Sequence, residues 1–362
     1  MNVDFFRKIL LHWHENHHRP MPWKGSKDAY TVWLSEVILQ QTRVEQGLPY
    51  FEKFIEKYPT VESLAKANDD DVMKVWQGLG YYSRARNMLV AAREIHEKYH
   101  NKFPENFEQL KQLKGIGSYT AAAIASFAFD LPHAVLDGNV YRVLSRINAV
   151  ETPIDSSKGK KQFEKLADKF LDKKHPAQYN QAMMDFGATQ CTPKNPKCDD
   201  CIFNKTCKAL QLNVVANLPV KEKRLKKTNR YFNFFYVTDG KYILIEKRTQ
   251  DDIWQNLFQF PLFESEMQLT KKELLKPSRS KHHTLLKKLT ATQKKNLHLG
   301  VLKKQALTHQ QLFIQFYLLK LKDVKKFAAD DLSFIDLELI HLYAFPKAIA
   351  EFLNGLKEMV LF

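Results

Sequence analysis

Apolar positions recur at helical spacing through the first three-fifths of the chain and at strand spacing beyond it. Residues 30–54, 61–76, 85–99, 118–129 and 140–147 each set apolar side chains three or four apart, the period at which one helix face is buried. Pro59, Gly78, Gly80 and Pro104 fall between these stretches as breaks. Residues 1–18 have the pattern of an amphipathic, His-rich helix. From residue 231 the period changes to two. Residues 231–238 and 241–247 are aromatic and β-branched runs separated by Asp239-Gly240, a hairpin signal. A further strand is expected over 312–321 and a closing helix over 345–356. Between the two regimes, 216–230 carries six basic residues, one Glu and one Pro, the composition of an exposed basic linker. The pattern predicts a multidomain chain: an all-helical domain over 1–215, a linker over 216–230 and a smaller α+β domain over 231–362. No internal repeat is visible.

Composition changes this picture in two ways. A length of 362 residues exceeds what one helical core usually spans, which fits two domains. The net charge of +16 favours a polyanionic partner. An anionic membrane surface would satisfy that charge equally. The sequence has no run of eighteen apolar residues, no signal-peptide pattern and no lipidation motif, so nucleic acid is the better expectation. A monomer working inside the cell on DNA, in a bacterial cytoplasm, is expected.

The four cysteines of the chain are Cys191, Cys198, Cys201 and Cys207, spaced C-x6-C-x2-C-x5-C. A disulfide framework would spread its bridges over the fold, whereas four thiols in one loop suit a soft-metal centre in a reducing compartment. Structural zinc usually takes two short-spaced pairs, and here only Cys198 and Cys201 form one. A 4Fe-4S cluster is the expectation, with zinc and unligated thiols as the alternatives. Lys194, Lys197, Lys205 and Lys208 in the same loop could meet phosphates.

This cysteine spacing resembles that of endonuclease III and of MutY-type adenine DNA glycosylases, in the helix-hairpin-helix glycosylase superfamily. Three other segments carry the resemblance. Leu113-Lys114-Gly115-Ile116-Gly117 sits between two helical patterns and is similar to the family hairpin L-P-G-[VI]-G, with Lys114 in place of proline. Gly115 and Gly117 would turn the backbone sharply and aim free amides of the next helix at a phosphate; an αα-corner packed for its own sake has the same signature. Trp33-Leu34-Ser35-Glu36-Val37-Ile38-Leu39-Gln40-Gln41-Thr42 resembles W-x-S-E-[IVM]-x-L-Q-Q-T. Val135-Leu136-Asp137-Gly138-Asn139-Val140-Tyr141-Arg142 resembles V-[LF]-D-[GT]-N-V-x-R.

The resemblance implies excision of adenine mispaired with 8-oxoguanine or guanine by hydrolysis of its N-glycosidic bond. That reaction needs an acid to protonate the base and an anion near the sugar, because its transition state resembles an oxocarbenium ion. Glu36 maps onto the acid and Asp137 onto the anion, with Asn139 its supporting amide. Read from the residues alone, Glu36, Gln40 and Arg43 share one narrow stripe that faces either water or a pocket, and Asp137 also fits a helix cap. Tyr119 stands where glycosylase/lyase relatives carry a Schiff-base lysine, so strand cutting is not expected. Gln41 and Tyr81 map onto residues that wedge into DNA once the target base is flipped out. Trp23, Lys24 and Gln181 are candidates for adenine selection.

In the last third, Trp254-Gln255-Asn256-Leu257-Phe258-Gln259-Phe260-Pro261 resembles a segment of MutY C-terminal domains, which are Nudix-like. No R-E-x-x-E-E string is present, so a recognition module is expected. Leu307-Thr308-His309 stands in the place of the family's F-S-H loop, with Thr308 and His309 implied to meet 8-oxoguanine and Leu307 lacking the aromatic ring. An ordinary turn before the 312–321 strand would read the same way. Two rival functions remain: a glycosylase/lyase acting on oxidised pyrimidines, and a non-enzymatic iron–sulfur DNA-binding regulator.

Overall fold

Capping side chains set most helix starts in the first part of the chain. The computed structural model describes residues 2–222, 227–277, 283–329 and 332–359. Asn2 accepts from the amides of Asp4 and Phe5 to start α1 (Val3–His17), and Asp28 from those of Tyr30 and Thr31 to start α2 (Ala29–Leu39). Then come α3 (Val44–Lys57), α4 (Val61–Ala65), α5 (Asp69–Trp76) and α6 (Ser83–Tyr99). Asn106 caps α7 (Phe107–Gln112), Gly117 precedes α8 (Ser118–Phe129), and Asp137 caps α9 (Gly138–Asn148). Ser156 caps α10 (Ser157–Phe170), a proline opens α11 (Pro176–Thr189), and Cys207 precedes α12 (Lys208–Gln211).

The apolar stretches 30–54 and 61–76 are each two helices. After α2 the chain turns at Gln41, whose φ is +56°, and α3 starts on a new axis. Arg43, expected on one stripe with Glu36 and Gln40, therefore lies outside α2 and precedes α3. Asn68 caps α5 and ends the second stretch's continuity.

Packing divides the chain into two units, Met1–Lys66 with Asn87–Arg224, and Ala67–Arg86 with Leu225–Phe362. The segment 67–86 thus packs with the C-terminal part, although the pattern placed it in a helical domain over 1–215. In the first unit α1 and α9 both lie against α11. The Phe6 ring of α1 stacks on Phe203 at 4.5 Å and meets Phe170 edge-on at 5.1 Å. Helix α2 lies along α8, whose Ala121-Ala122-Ala123 run lets the two backbones approach closely.

The second unit is a mixed sheet with flanking helices. Its strands are β1 (Thr228–Thr238), β2 (Tyr242–Lys247), β3 (Phe258–Gln259), β4 (Leu262–Ser265), β5 (His298–Ala306), β6 (Gln310–Lys320) and β7 (Ser333–Asp336). The order is β3-β2-β1-β6-β5, with β4 also on β1 and β7 on β2. Strands β1 and β6 run parallel from Thr228↔Gln310 to Thr238↔Lys320, and aromatic side chains fill the sheet face between them. Asp239-Gly240 makes the expected hairpin, with Gly240 at φ +101°. The closing helix Lys347–Met359 stacks Phe352 on Phe316 at 4.1 Å.

The stretch 216–230, expected as an exposed basic linker, is exposed at Lys221, Glu222 and Lys227 and fastened down at two places. Leu218 is buried and the Val220 carbonyl accepts from the Ile154 amide at 3.0 Å, so the apolar residues of 216–220 pack as part of the first unit. Arg230 lies in β1 and pairs with Asp252 and Glu264, so its charge serves the fold rather than solvent. Residues 223–226 lie outside the described residues. No helix among the described residues is long and apolar enough to cross a membrane.

Helix α1 joins the first unit through one apolar ridge centred on Phe6, which is fully buried. Phe6→Ala is expected to destabilise that unit by about 3–5 kcal/mol, a large-to-small loss in a packed core. Urea denaturation followed by tryptophan fluorescence measures it.

Candidate active site

A cleft of about 1170 Å³ opens in the first unit. Helix α2 supplies one wall because its other faces are taken: Val32, Trp33, Leu34, Val37 and Ile38 are buried in the core. That leaves Glu36 and Gln40 on the cleft, together with Tyr119 from α8, Asp137 and Asn139 from the start of α9, and Gln181 from α11. Trp23, Lys24, Gln41 and Gly117 line the same space. The stripe on α2 that sequence left between water and pocket faces the pocket.

The two carboxyl groups have unlike surroundings. Burial pushes Glu36 up to about 7, and the charge of Asp137 pushes it the same way. Against these, the Tyr119 phenol donates a hydrogen bond to the Glu36 carboxylate. Burial, with the charges of Glu36 and Asp137, holds the phenol itself well above its usual range, so it stays a donor. Asp137 is also raised by burial, but its carboxylate is surrounded by donors. It accepts from the Val140 amide at 2.7 Å as the cap of α9 and from Asn139 Nδ2 at 2.6 Å. The nearby Arg142 charge works in the same direction. Cap and site residue are thus one arrangement, since the hydrogen bond that starts α9 also aims Asp137 at the cleft.

Arg142 secures this arrangement from behind. Its Nη2 donates to Asn139 Oδ1 at 2.8 Å and to the Gly187 carbonyl at 2.6 Å, and its Nε to the Cys191 carbonyl at 2.7 Å. At Gly187 an added Cβ would lie 2.6 Å from Asn139 Cβ, so only glycine lets α11 approach α9 this closely. On the far wall, buried Asp185 accepts Lys24 Nζ at 2.8 Å on both oxygens and pairs with His14 Nε2 at 3.0 Å. Burial raises Asp185, but these two partners outweigh it and hold the carboxyl below its usual range. For Lys24 burial outweighs pairing and lowers the ammonium.

The sequence reading missed His14, Asp185 and Gly187 and left Arg142 without a role. Arg142 lay inside a quoted motif, and Asp185 lies one helical turn beyond Gln181. Nothing local marks His14 among its neighbouring histidines.

Trp23 is nearly buried and meets Phe51 edge-on at 4.9 Å. Gln41 is exposed at the cleft's edge. In the glycine hairpin only Gly115 is sterically required. Its φ is +80°, and an added Cβ would lie 2.7 Å from Asn87, whereas Gly117 has free space. Both hairpin glycines are exposed.

All four cysteines line a second, small cavity walled by Ile147, Phe186, Leu210 and Val215. Among the described residues no group of three or more His, Cys, Asp or Glu side chains is placed to hold a single metal ion. The donor set is nonetheless sulfur alone, converging on one apolar-walled space, with Arg146 Nη1 3.4 Å from Cys191 Sγ and the Phe203 amide 3.4 Å from Cys201 Sγ. N–H donors aimed at sulfur suit thiolates, and a sulfur-only set suits a cluster better than a hard cation. In the second unit, Thr308 and His309 form the turn between β5 and β6, closed by Leu307 N–H to the Gln310 carbonyl at 2.8 Å. The Tyr81 and Thr308 hydroxyls are 2.5 Å apart, and the His309 carbonyl accepts from the Thr228 amide at 3.0 Å.

Comparison with known proteins finds a family model for each part of the chain, and the first of them runs through 67–86. Residues 34–171 match the HhH-GPD superfamily of base excision DNA repair proteins, and residues 233–355 match the NUDIX domain. The chain is 37% identical over 268 residues to an adenine DNA glycosylase of Buchnera aphidicola subsp. Schizaphis graminum, covering 74% of this chain and 77% of the relative. It is 41% identical over 218 residues to the adenine DNA glycosylase of Homo sapiens, covering 58% of this chain and 40% of that protein. Among solved structures, a thermostable thymine-DNA glycosylase superposes with a TM-score of 0.54 at 26% identity, covering 58% of this chain and 97% of the other. An endonuclease III–DNA complex shares the fold, with a TM-score of 0.51 at 21% identity over 58% of this chain and 96% of the other.

The contacts on Glu36 give opposite signs for two substitutions. Tyr119→Phe removes a donor to the carboxylate and should move the Glu36 pKa above about 7, while Asp137→Asn removes a like charge and should lower it. Carboxyl carbon chemical shifts of labelled glutamate, followed through a pH titration, check both.

Proposed function

The chain belongs to the adenine DNA glycosylases, enzymes of base excision repair, and on that premise we propose that it excises adenine lying opposite 8-oxoguanine or guanine, from a nucleotide turned out of the duplex into the cleft. The observation that carries this reading is the pairing of Glu36 and Asp137 across one cleft, with Glu36 held near 7. A carboxyl group at that pKa keeps a substantial protonated fraction, about half, at neutral pH and can give its proton to nitrogen 7 of adenine as the bond to the sugar breaks. Asp137, the better supplied with donors, faces the developing oxocarbenium ion as an anion. Asn139 fixes its orientation, and the Tyr119 phenol orients the acid. Position 119 offers no amine to form an imine, so the product is an abasic site in an unbroken strand.

The remaining roles follow the same premise. Trp23, Lys24 and Gln181 would select the base, Gly115 and Gly117 would hold the phosphates, and Gln41 and Tyr81 would fill the gap in the duplex. Thr308 and His309 would meet the opposite base. Cys191, Cys198, Cys201 and Cys207 would hold a 4Fe-4S cluster, whose part would be to shape the loop, since four thiolates would leave no open position for substrate.

The test is single-turnover adenine release from a duplex, with the opposite base varied and strands read before and after alkali. Adenine loss that nicks the strand only after alkali is expected, and efficient borohydride crosslinking would favour a glycosylase/lyase instead. The acid role also fixes a pH dependence. The active form has Glu36 protonated and Asp137 ionised, so the rate should fall as pH rises through about 7 and fall again in acid as Asp137 takes up its proton. Glu36→Gln should lower it by roughly 10²–10⁴-fold at all pH values and remove the first of these falls. A variant that releases adenine at the unmodified rate would sink the mechanism.

A further inference from the structure

The segment that carries Tyr81 is tied to the sheet by specific side chains on both sides of that residue. On one side, Lys74 of α5 donates from Nζ to the Tyr343 carbonyl at 2.9 Å and to Gln77 Oε1 at 3.0 Å. The same Gln77 oxygen accepts the Phe345 amide at 3.4 Å. On the other side, Arg86 Nη1 donates to the Gln255 carbonyl at 2.9 Å.

The loop that offers Gln255 is itself rigid. Asp252 takes both Arg230 (2.6 Å) and Arg248 (2.7 Å), and Trp254 and Asn256 are held at φ +64° and +66°. Arg230 Nη1 also reaches Gln310 Oε1 at 3.4 Å, at the foot of the turn that presents Thr308. One ionic cluster therefore supports both the grip on Arg86 and the base of the Thr308 turn. Tyr81 closes the circuit through its 2.5 Å contact with Thr308.

We propose that Lys74, Gln77 and Arg86 are positioning residues that dock the segment Ala67–Arg86 on the sheet unit, so that the Tyr81 phenol and the Thr308 hydroxyl read the base opposite adenine as one element. The inference rests on the reading of Thr308 as a contact to that base. When one hydroxyl of such a pair donates to the other, the pair keeps one free O–H and free lone pairs side by side. 8-Oxoguanine offers the complement, an N–H at position 7 beside a carbonyl at position 8. Guanine offers an acceptor at position 7 beside a C–H. Discrimination then depends on the spacing of the two hydroxyls, which the docking contacts hold.

The experiment measures single-turnover adenine release by the full-length protein opposite 8-oxoguanine and opposite guanine, with the active fraction titrated. Lys74→Ala and Arg86→Ala are each expected to lower the 8-oxoguanine to guanine rate ratio by about fivefold to tenfold, the loss of one charge-assisted hydrogen bond. Arg86→Lys should restore part of it. Tyr81→Phe, which keeps the ring, should lower the ratio similarly, and adding Thr308→Val to it should cost little more, because the two hydroxyls act together. A merely structural role would lower both rates in parallel and leave the ratio alone. If the unmodified chain prefers 8-oxoguanine and the Lys74 and Arg86 variants keep that preference, the docking proposal is overturned. If the unmodified chain has no preference, the reading of Thr308 fails and the proposal with it.

Discussion

Two carboxyl groups, both raised by burial, share one cleft, and the architecture of the helical unit gives them unequal sets of hydrogen-bond donors. Removing water disfavours charge on both, and each charge disfavours the other, so the proton settles where the fewest donors oppose it. Asp137 has the amide that starts a helix, the Asn139 side chain and the nearby guanidinium of Arg142. Glu36 has one phenol and apolar neighbours on its own helix. The assignment of acid and anion thus follows from a count of donors.

That count holds only if Asn139 and the start of α9 stay in place, and their support comes from the cysteine loop. Arg142 bridges Asn139, Gly187 and the Cys191 carbonyl, so a side chain in the site, the backbone of α11 and the head of the loop move together. Arg146, one turn further along α9, is fully enclosed and donates to carbonyls of Val215, Leu218, Thr192 and Pro193. Two buried guanidiniums on one helix therefore convert the path of a loop into the position of a carboxylate. Whatever fixes the loop also fixes Asp137.

The sequence was most informative where a periodic pattern coincided with a chemical oddity. A glutamate inside the apolar helix Ala29–Leu39, an aspartate ahead of Gly138–Asn148 and a tyrosine heading Ser118–Phe129 could all be picked out, and the structure brings the three side chains to one cleft. The Asp239-Gly240 turn and the strand after it were legible for the same reason, since turn chemistry and period agree there. Other features depended on distance along the chain. Nothing near His14 announces Asp185, 171 residues away. The attachment of 67–86 to the sheet unit rests partly on backbone carbonyls at 255 and 343, which carry no side-chain signature, and partly on side-chain pairs far apart in sequence such as Asp70 with Lys247. Along 216–230 charge density marks exposure at Lys221 and Lys227, whereas Arg230 finds two carboxylates and Leu218 a core.

Backbone strain is absent at the two carboxyl groups. Glu36 sits within a regular helix and Asp137 at an ordinary extended cap with φ −92°, so the reacting groups are placed by unstrained geometry. Gln41 and Tyr81, exposed and non-glycine, are instead held at φ +56° and +49°. Such conformations cost of order 1–3 kcal/mol each and persist only when the surroundings impose them. At Tyr81 the Arg84 guanidinium lies 5.5 Å from the ring centroid and also donates to the Gly80 carbonyl. A side chain that must enter a stacked duplex gains from being set outward before contact, because ordering it then would add to the work of opening the stack. Positive φ also occurs at other non-glycine residues such as His100, Asp130 and Ala149, so at 41 and 81 it suits the insertion proposed for these side chains without being peculiar to them.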